Sequence, residues 1–182
     1  MKCVTRLAAV ALLVAPVAAS AQQPAPTPAG PFAAAMQQLW QRAARNMPAA
    51  ADDMPVAQFE FKPTPEQLSF AEILAHEAQA NETLCGAIAG SPQAPSESAA
   101  GAAAGKDALV ARLRKSFDSC GAVVATLSES TLGDSVPFFG GRKATKARAA
   151  LALAQDWADH YAQASMYLRL NGILPPSARR RP

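Results

Sequence analysis

The chain of 182 residues has only two histidines and three cysteines, and it lacks the motifs of the common enzyme classes. There is no serine in a glycine elbow, no glycine-rich phosphate loop and no Cys-x-x-Cys pair. These absences argue against a serine hydrolase, a nucleotide-dependent enzyme and a dithiol oxidoreductase. Catalytic chemistry, if present, must depend on very few residues, and the two histidines are the first candidates.

Long apolar runs are scarce. One covers residues 7–17 after Lys2 and Arg6, and Ala19-Ser20-Ala21 ends it in the small-x-small pattern that signal peptidase recognises. The run is shorter than the ~18 to 20 residues of a membrane span. We therefore expect residues 1–21 to be a signal peptide, and the mature protein to be exported to the periplasm or secreted from a bacterium, without an integral membrane segment.

A strong charge of either sign is also absent. Without Lys2 and Arg6, the 17 basic residues fall to 15, against 14 acidic ones. This balance gives no indication of a nucleic-acid partner. Four prolines predict a disordered tether at residues 22–31, and three arginines predict a basic disordered tail at 177–182. The remaining residues, 32–176, have the length of one domain.

No segment has a convincing strand pattern, whereas four segments predict helices: 32–47, 69–89, 106–130 and 144–170. Pro48 predicts the end of the first helix. Ser69 and Glu72 have the spacing of a capping box at the start of the second. Asn171-Gly172 is typical of a left-handed end to the fourth. Four helices of this length predict an all-α four-helix bundle.

The connections between these helices differ in character. Prolines predict a loop at residues 49–68, where Phe59 and Phe61 alternate as if they anchored the loop on the bundle. Small and polar residues predict a long flexible connection at 90–105, and 136–141 has the composition of a turn. The long connection at 90–105, between the second and third helices, can span the length of a helix, so it allows a crossover.

Cys85 and Cys120 remain after removal of the signal peptide, an even pair in an oxidising compartment. Each lies about 21 to 23 Å along its predicted helix from the helix start, at 1.5 Å per residue. A disulfide between them therefore requires the second and third helices to be parallel, which favours an up-down-down-up bundle. The alternative is two unrelated buried thiols.

Asp156 and His160 lie four residues apart in the fourth predicted helix, so both side chains project from one face about one turn apart. If His76 of the second helix faces them, the three residues can form a two-histidine, one-carboxylate metal site. The helical pattern also permits another orientation, in which Trp157 and Tyr161 lie in the buried stripe and Asp156 and His160 lie at its edge.

Several segments together resemble the DinB-like proteins: residues 59–65, 69–76, 158–161 and 167–176. Their order and spacing cover nearly the whole mature chain. The resemblance implies a bundle of the DinB/YfiT type. It also implies a divalent metal, usually zinc or nickel, held by one histidine of the second helix and two histidines spaced i, i+4 on the fourth.

By this resemblance His76 and His160 are metal ligands, but Asp156 stands where the family usually has the third histidine. Aspartate is a harder ligand, which lowers affinity for zinc or nickel and tolerates iron or manganese better. The resemblance implies a metal-dependent transferase or hydrolase acting on a small molecule, in some members a thiol, and it is compatible with a homodimer. The alternative is a non-catalytic helical binding or scaffold protein that has lost the metal.

Overall fold

Four helices make up most of the described chain, which comprises residues 30–91 and 105–179 of this computed structural model. They are α1 (Pro31–Asp53), α2 (Phe70–Ile88), α3 (Lys106–Ala125) and α4 (Lys146–Leu170). The predicted all-α bundle is confirmed. The expected signal peptide, all but the end of the tether and most of the connection at 90–105 lie outside the described residues.

Contacts between the helices define the order of packing. Both α1 and α2 pack against α3 and α4. The Trp40 indole donates to the carbonyl of Phe117, while Lys106 at the start of α3 donates to the carbonyl of Met54 just after α1. Because the middle of α1 meets the middle of α3, while the end of α1 meets the start of α3, these two helices are antiparallel.

The direction of α2 follows from its contacts with both neighbours. Trp157 donates to Asn81, and Tyr167 donates to the carbonyl that precedes α2, so α2 and α4 are antiparallel. The disulfide joins Cys85 to Cys120 with 5.4 Å between the α-carbons, near the ends of α2 and α3. These two helices are therefore parallel, and the chain runs up, down, down and up, as predicted.

Aromatic residues connect the loop after α1 to the bundle, as the sequence predicts. Phe59 is buried and packs edge-on against Phe70 at 5.4 Å between ring centroids, and Phe61 packs against Tyr167 at 5.9 Å. The Ser69 side chain caps α2 in a complete capping box with Glu72. The start of α2 is consequently held in place beside the end of α4.

Helix α1 does not end at Pro48, so that prediction was wrong. It continues to Asp53 with Pro48 inside it. Proline removes one hydrogen bond of the helix, but Ala50, Ala51 and Met54 continue the apolar stripe beyond it and are buried. Packing of this stripe outweighs the local cost of the proline, and Lys106 caps the free carbonyls at the end of the helix.

Two further boundaries differ from the predictions. Helix α3 ends at Ala125 and not at residue 130 as predicted. At this end the Thr126 hydroxyl donates to the carbonyl of Val123. The segment before α4 contains a small antiparallel hairpin of β1 (Ser135–Pro137) and β2 (Lys143–Thr145), which the sequence analysis missed. Gly140 and Gly141 adopt positive φ angles of 66° and 70° that allow the reversal between these strands.

The C-terminal segment is more ordered than its composition predicts. Gly172 ends α4 with φ of 72°, as expected for a left-handed cap. Beyond it, the backbone of Ser177 donates to the Tyr161 hydroxyl, and Arg179 forms an ion pair with Asp53. Ordered structure therefore extends at least to Arg179. Within the described ranges, no helix is both long and apolar enough to cross a membrane.

Candidate metal centre

His76, Asp156 and His160 meet where α2 packs against α4. His76 lies in the second turn of α2, and the other two lie one turn apart on α4. Two hydrogen bonds fix the register of these helices, one before and one after His76 along the chain. On one side the Tyr167 hydroxyl donates to the carbonyl of Leu68 at 2.6 Å, and on the other the Trp157 indole donates to Asn81 at 2.7 Å.

The three side chains converge as the helical spacing predicts. One potential ligand atom from each lies within 4.8 Å of the others. Asp156 Oδ1 is 3.8 Å from His76 Nε2, and Asp156 Oδ2 is 3.4 Å from His160 Nδ1. Ligands of one zinc ion lie about 3 to 4 Å apart, since each bond is about 2.0 to 2.2 Å long. The three side chains are therefore grouped closely enough to hold a shared cation.

The buried face of helix α4 is wider than either of the two stripes that the sequence predicts for it. Leu153, Trp157 and Tyr167 are all buried, while Asp156 and His160 are only partly accessible. Trp157 belongs to the core, and the Asp156 and His160 pair lies beside it on the side facing α2. The sequence left open whether Asp156 and His160 or Trp157 and Tyr161 lie on the buried face of this helix. In the structure each of these orientations describes one part of that face.

A fourth polar side chain, Glu77, belongs to this cluster and was missed by the sequence analysis. It directly follows His76, is fully buried, and places Oε2 at 3.7 Å from His160 Nδ1. Neither of its carboxylate oxygens has a hydrogen-bond partner within the described ranges, and the same holds for Asp156 Oδ2. A sequence signal existed, because Ile73, Glu77 and Asn81 have the spacing of one buried helix face.

The cluster strongly perturbs the pKa values of its members. Burial, with the nearby Asp156, raises the pKa of Glu77 to about 8. Burial opposes the charged form of His160, but the adjacent Asp156 carboxylate, the charge of Glu77 and the Asp156 carbonyl, 2.9 Å from Nδ1, raise its pKa to about 9. Burial would raise the pKa of Asp156, yet the close approach of His160 and His76 to its carboxylate lowers it overall. Clusters of perturbed groups are typical of functional sites.

Exposure changes steadily across the cluster. The His76 side chain is 45% exposed, those of Asp156 and His160 are 20% and 12% exposed, and that of Glu77 is fully buried. A cation held there would have solvent on the His76 side and the protein core on the Glu77 side. This arrangement leaves one face open to a water molecule or a substrate.

Other residues considered for the site have structural roles or face solvent. Glu72 accepts from the backbone of Ser69 and pairs with Lys62, which confirms its place in the capping box. Asp159, three residues after Asp156, is exposed. A cavity of about 290 Å³ lies on another face of α4, between α1 and α4, and is lined in part by Asn46, Trp157 and Ser165.

Three solved structures have the same fold as this chain. The mycothiol-dependent maleylpyruvate isomerase has a TM-score of 0.61 and 16% identity, with 71% of this chain aligned to 59% of the isomerase. The chain therefore spans less than two thirds of that protein. A DinB-like protein from Bacillus cereus has a TM-score of 0.61 and 14% identity over 78% of this chain and 93% of its own.

A second DinB-like protein, from Bacillus subtilis, has a TM-score of 0.61 and 16% identity, with coverage of 81% of this chain and 99% of its own. At such identities these likenesses concern the fold. No curated protein is significantly similar to the chain in sequence. The family model of the DinB superfamily, however, matches residues 39–164, which is more than half of the chain and includes His76, Asp156 and His160. The chain therefore belongs to the DinB superfamily.

Proposed function

We propose that this protein is an exported, metal-dependent enzyme that binds one divalent cation through His76, Asp156 and His160. The observation that carries the proposal is the convergence of these side chains within 4.8 Å around a partly buried carboxylate. Asp156 Oδ2 has no hydrogen-bond partner in the described part of the chain. A buried oxygen without a partner is costly in a structural role, but it is a suitable ligand for a cation.

The chemistry of the donor set also fits a metal. Zinc is commonly bound by mixed sets of imidazole and carboxylate ligands, and catalytic sites usually have three protein ligands with a fourth position open. Zinc and nickel are the ions that the family resemblance favours, and the oxygen of Asp156 makes iron or manganese acceptable as well. When bound, such an ion lowers the pKa of a coordinated water or thiol and so supplies a nucleophile.

The protein's own residues then determine access and orientation. His76 is the ligand at the exposed edge, so a small molecule can approach beside it. The hydrogen bond from Trp157 to Asn81 and that from Tyr167 to Leu68 hold the two ligand-bearing helices in register. A site on two such helices keeps its geometry better than a site on loops.

A small thiol is the substrate class that the fold comparison supports, because a structural neighbour is a mycothiol-dependent isomerase. Export is supported by the N-terminal pattern of Lys2, Arg6 and the apolar run, and by the disulfide, since disulfides persist in oxidising compartments. The non-catalytic scaffold remains the competing function. It predicts the same fold without bound metal.

Metal analysis of protein purified from the periplasm without a histidine tag tests the proposal. Elemental analysis should find about one divalent ion per chain in the wild type. Asp156→Ala should lose most of this metal. Asp159→Ala, an exposed aspartate on the same helix, is the matched control and should keep it. Absence of metal from wild type and control, even after incubation with zinc, nickel, iron and manganese, would favour the scaffold.

A further inference from the structure

Glu77 is the one fully buried ionisable side chain of the cluster that the three-ligand site does not use. It is fully buried, and neither oxygen has a hydrogen-bond partner among the residues described. The chain maintains this side chain in its core although a neutral residue would fit such surroundings at lower cost. A group retained under these conditions points to a ligand that satisfies it.

Glu77 lies directly beside the three converging side chains, on the side of the protein core. Consecutive residues of a helix diverge by about 100° around its axis, so His76 reaches the cluster from the solvent side and Glu77 from the core side. Oε2 of Glu77 is 3.7 Å from His160 Nδ1, close to the 3.8 Å between His76 Nε2 and Asp156 Oδ1. The ligand atoms of His76, Asp156 and His160 lie within 4.8 Å of one another, and Glu77 borders this group on the core side through His160. Glu77 would therefore reach a cation held by the three residues after a shift of its side chain toward them.

The balance of charge points the same way. One carboxylate and two neutral imidazoles around a divalent ion leave a net positive charge, whereas two carboxylates neutralise it. The neutral arrangement is favoured in a buried site, because an uncompensated charge is expensive away from water. A second oxygen ligand also makes the set harder, which suits manganese(II) and iron(II) better than a set rich in histidine does.

The geometry points to Glu77 as a fourth ligand, which completes a two-histidine, two-carboxylate site and raises the affinity for manganese(II) and iron(II) relative to zinc(II). This inference rests on the proposed function. Zinc still binds more tightly in absolute terms, as it does at most sites of this kind. Glu77 narrows the gap between the affinity for zinc(II) and the affinities for manganese(II) and iron(II).

Titration of metal-free protein with manganese(II) and with zinc(II), under anaerobic conditions and in the same buffer, tests this role. The variants are Glu77→Gln, which keeps size and removes charge, and Glu72→Gln, a control on the same helix that preserves the capping box. Glu77→Gln should weaken manganese binding about tenfold or more and zinc binding by a smaller factor. Glu72→Gln should change neither.

The melting temperature of the metal-free proteins provides a second measurement. Metal-free Glu77→Gln should melt at the same temperature as the wild type or higher, because it no longer buries an unpartnered group that ionises as the pH rises. If it fails to fold, Glu77→Asp, which keeps the charge but shortens the side chain, should show the same selective loss of manganese.

Two results would overturn the inference and leave the proposed function intact: unchanged affinity for both ions in the Glu77 variants, or an equal loss for both. No binding of either ion to the wild type would instead overturn the proposed function, and this inference with it.

Discussion

Glu77 and Asn81 lie one turn apart on the same face of α2 and are both fully buried, yet their surroundings are opposite. The Asn81 side chain donates to the Ser116 hydroxyl at 3.1 Å and accepts from the Trp157 indole at 2.7 Å. Glu77 has no hydrogen-bond partner in the described chain, and its nearest polar neighbours are members of the cluster itself.

This difference separates two functions of polar groups inside one bundle. The Asn81 network is complete, so it stabilises the packing of α2, α3 and α4, and the disulfide at Cys85 continues that stable region one turn further on. The cluster around Glu77 is incomplete, and incomplete buried clusters cost stability unless a ligand satisfies them. We therefore expect mutations in the first region to affect folding and mutations in the second to affect metal binding.

Removal of the disulfide should have the largest effect on the stable region. The double variant Cys85→Ala, Cys120→Ala should lose about 3 kcal/mol of unfolding free energy, because a loop closed across a sequence separation of 35 residues is released in the unfolded chain. Denaturation in urea measures the loss. Mass spectrometry of the wild type under non-reducing conditions should show no free thiol in the mature chain, and two free thiols there would contradict the predicted pairing.

Asn81→Ala should destabilise the protein by about 2 to 3 kcal/mol, because it leaves the buried Trp157 indole without an acceptor and the Ser116 hydroxyl without its donor. Glu77→Gln is the comparison on the same face, and it should leave the stability of the metal-free protein unchanged or increase it. Urea denaturation of both variants gives the contrast. Equal losses for both would remove the distinction between a satisfied and an unsatisfied region.

The stability of the metal-free protein should fall as the pH rises from about 6.5 to 9. The pKa of His160 is raised from 6.5 to about 9, so its stabilising contribution is complete below pH 6.5 and is lost as the pH approaches 9. The pKa of Glu77 is raised from 4.5 to about 8, so its burial becomes increasingly unfavourable over much of the same range. The lowered pKa of Asp156 has the opposite effect, because its contribution to stability is lost as the pH falls, and this happens only in the acid range.

We expect the free energy of unfolding to fall by about 1 to 2 kcal/mol between pH 6.5 and 9. This is less than the full pKa shifts imply, because the His160 ring is not completely withdrawn from water. Denaturation at several pH values measures it. Glu77→Gln should show a shallower decrease, since one titrating group has been removed. A stability that rises between pH 6.5 and 9 would contradict the electrostatics of the cluster.

Tyr167→Phe should have the smallest effect, about 1 kcal/mol, because it removes the hydrogen bond from the Tyr167 hydroxyl to the carbonyl of Leu68. Tyr161→Phe is the matched control at the surface, where the hydroxyl accepts from the backbone of Ser177, and it should cost less. Thermal denaturation compares the two. A larger effect at Tyr161 would show that the buried bond does not hold α2 against α4.

Much of the fold could be predicted from local signals. The capping box at Ser69, the left-handed end at Gly172 and the aromatic anchors in the first loop act within a few residues, so the sequence displays them directly. The end of α1 could not be predicted this way, because the packing of Met54 and the cap from Lys106 outweigh the proline, and both depend on other parts of the chain. The hairpin before α4 is too short to show an alternating pattern.

The candidate site shows the same division. The spacing of Asp156 and His160 predicts that they share a face. His76 joins them if α2 faces α4, an arrangement that the family resemblance also implies. Glu77 escaped notice because a glutamate in a helix is ordinarily exposed, and only the packing of α4 over α2 shows that it is fully buried. Which residues share a helix face can thus be inferred from the helical period. How deeply each side chain is buried depends on the tertiary structure.

Calorimetric titration of zinc into metal-free wild type, Asp156→Ala and Asp156→His tests the central claim most directly. The wild type should bind about one zinc per chain. Asp156→Ala should bind at least about a hundredfold more weakly, since even partners outside the ligand set contribute about 10- to 100-fold. Asp156→His should bind as tightly as the wild type or more tightly, because it supplies a softer nitrogen ligand. Equal and negligible binding by all three proteins would contradict the metal site and leave a helical bundle with a structural or binding role.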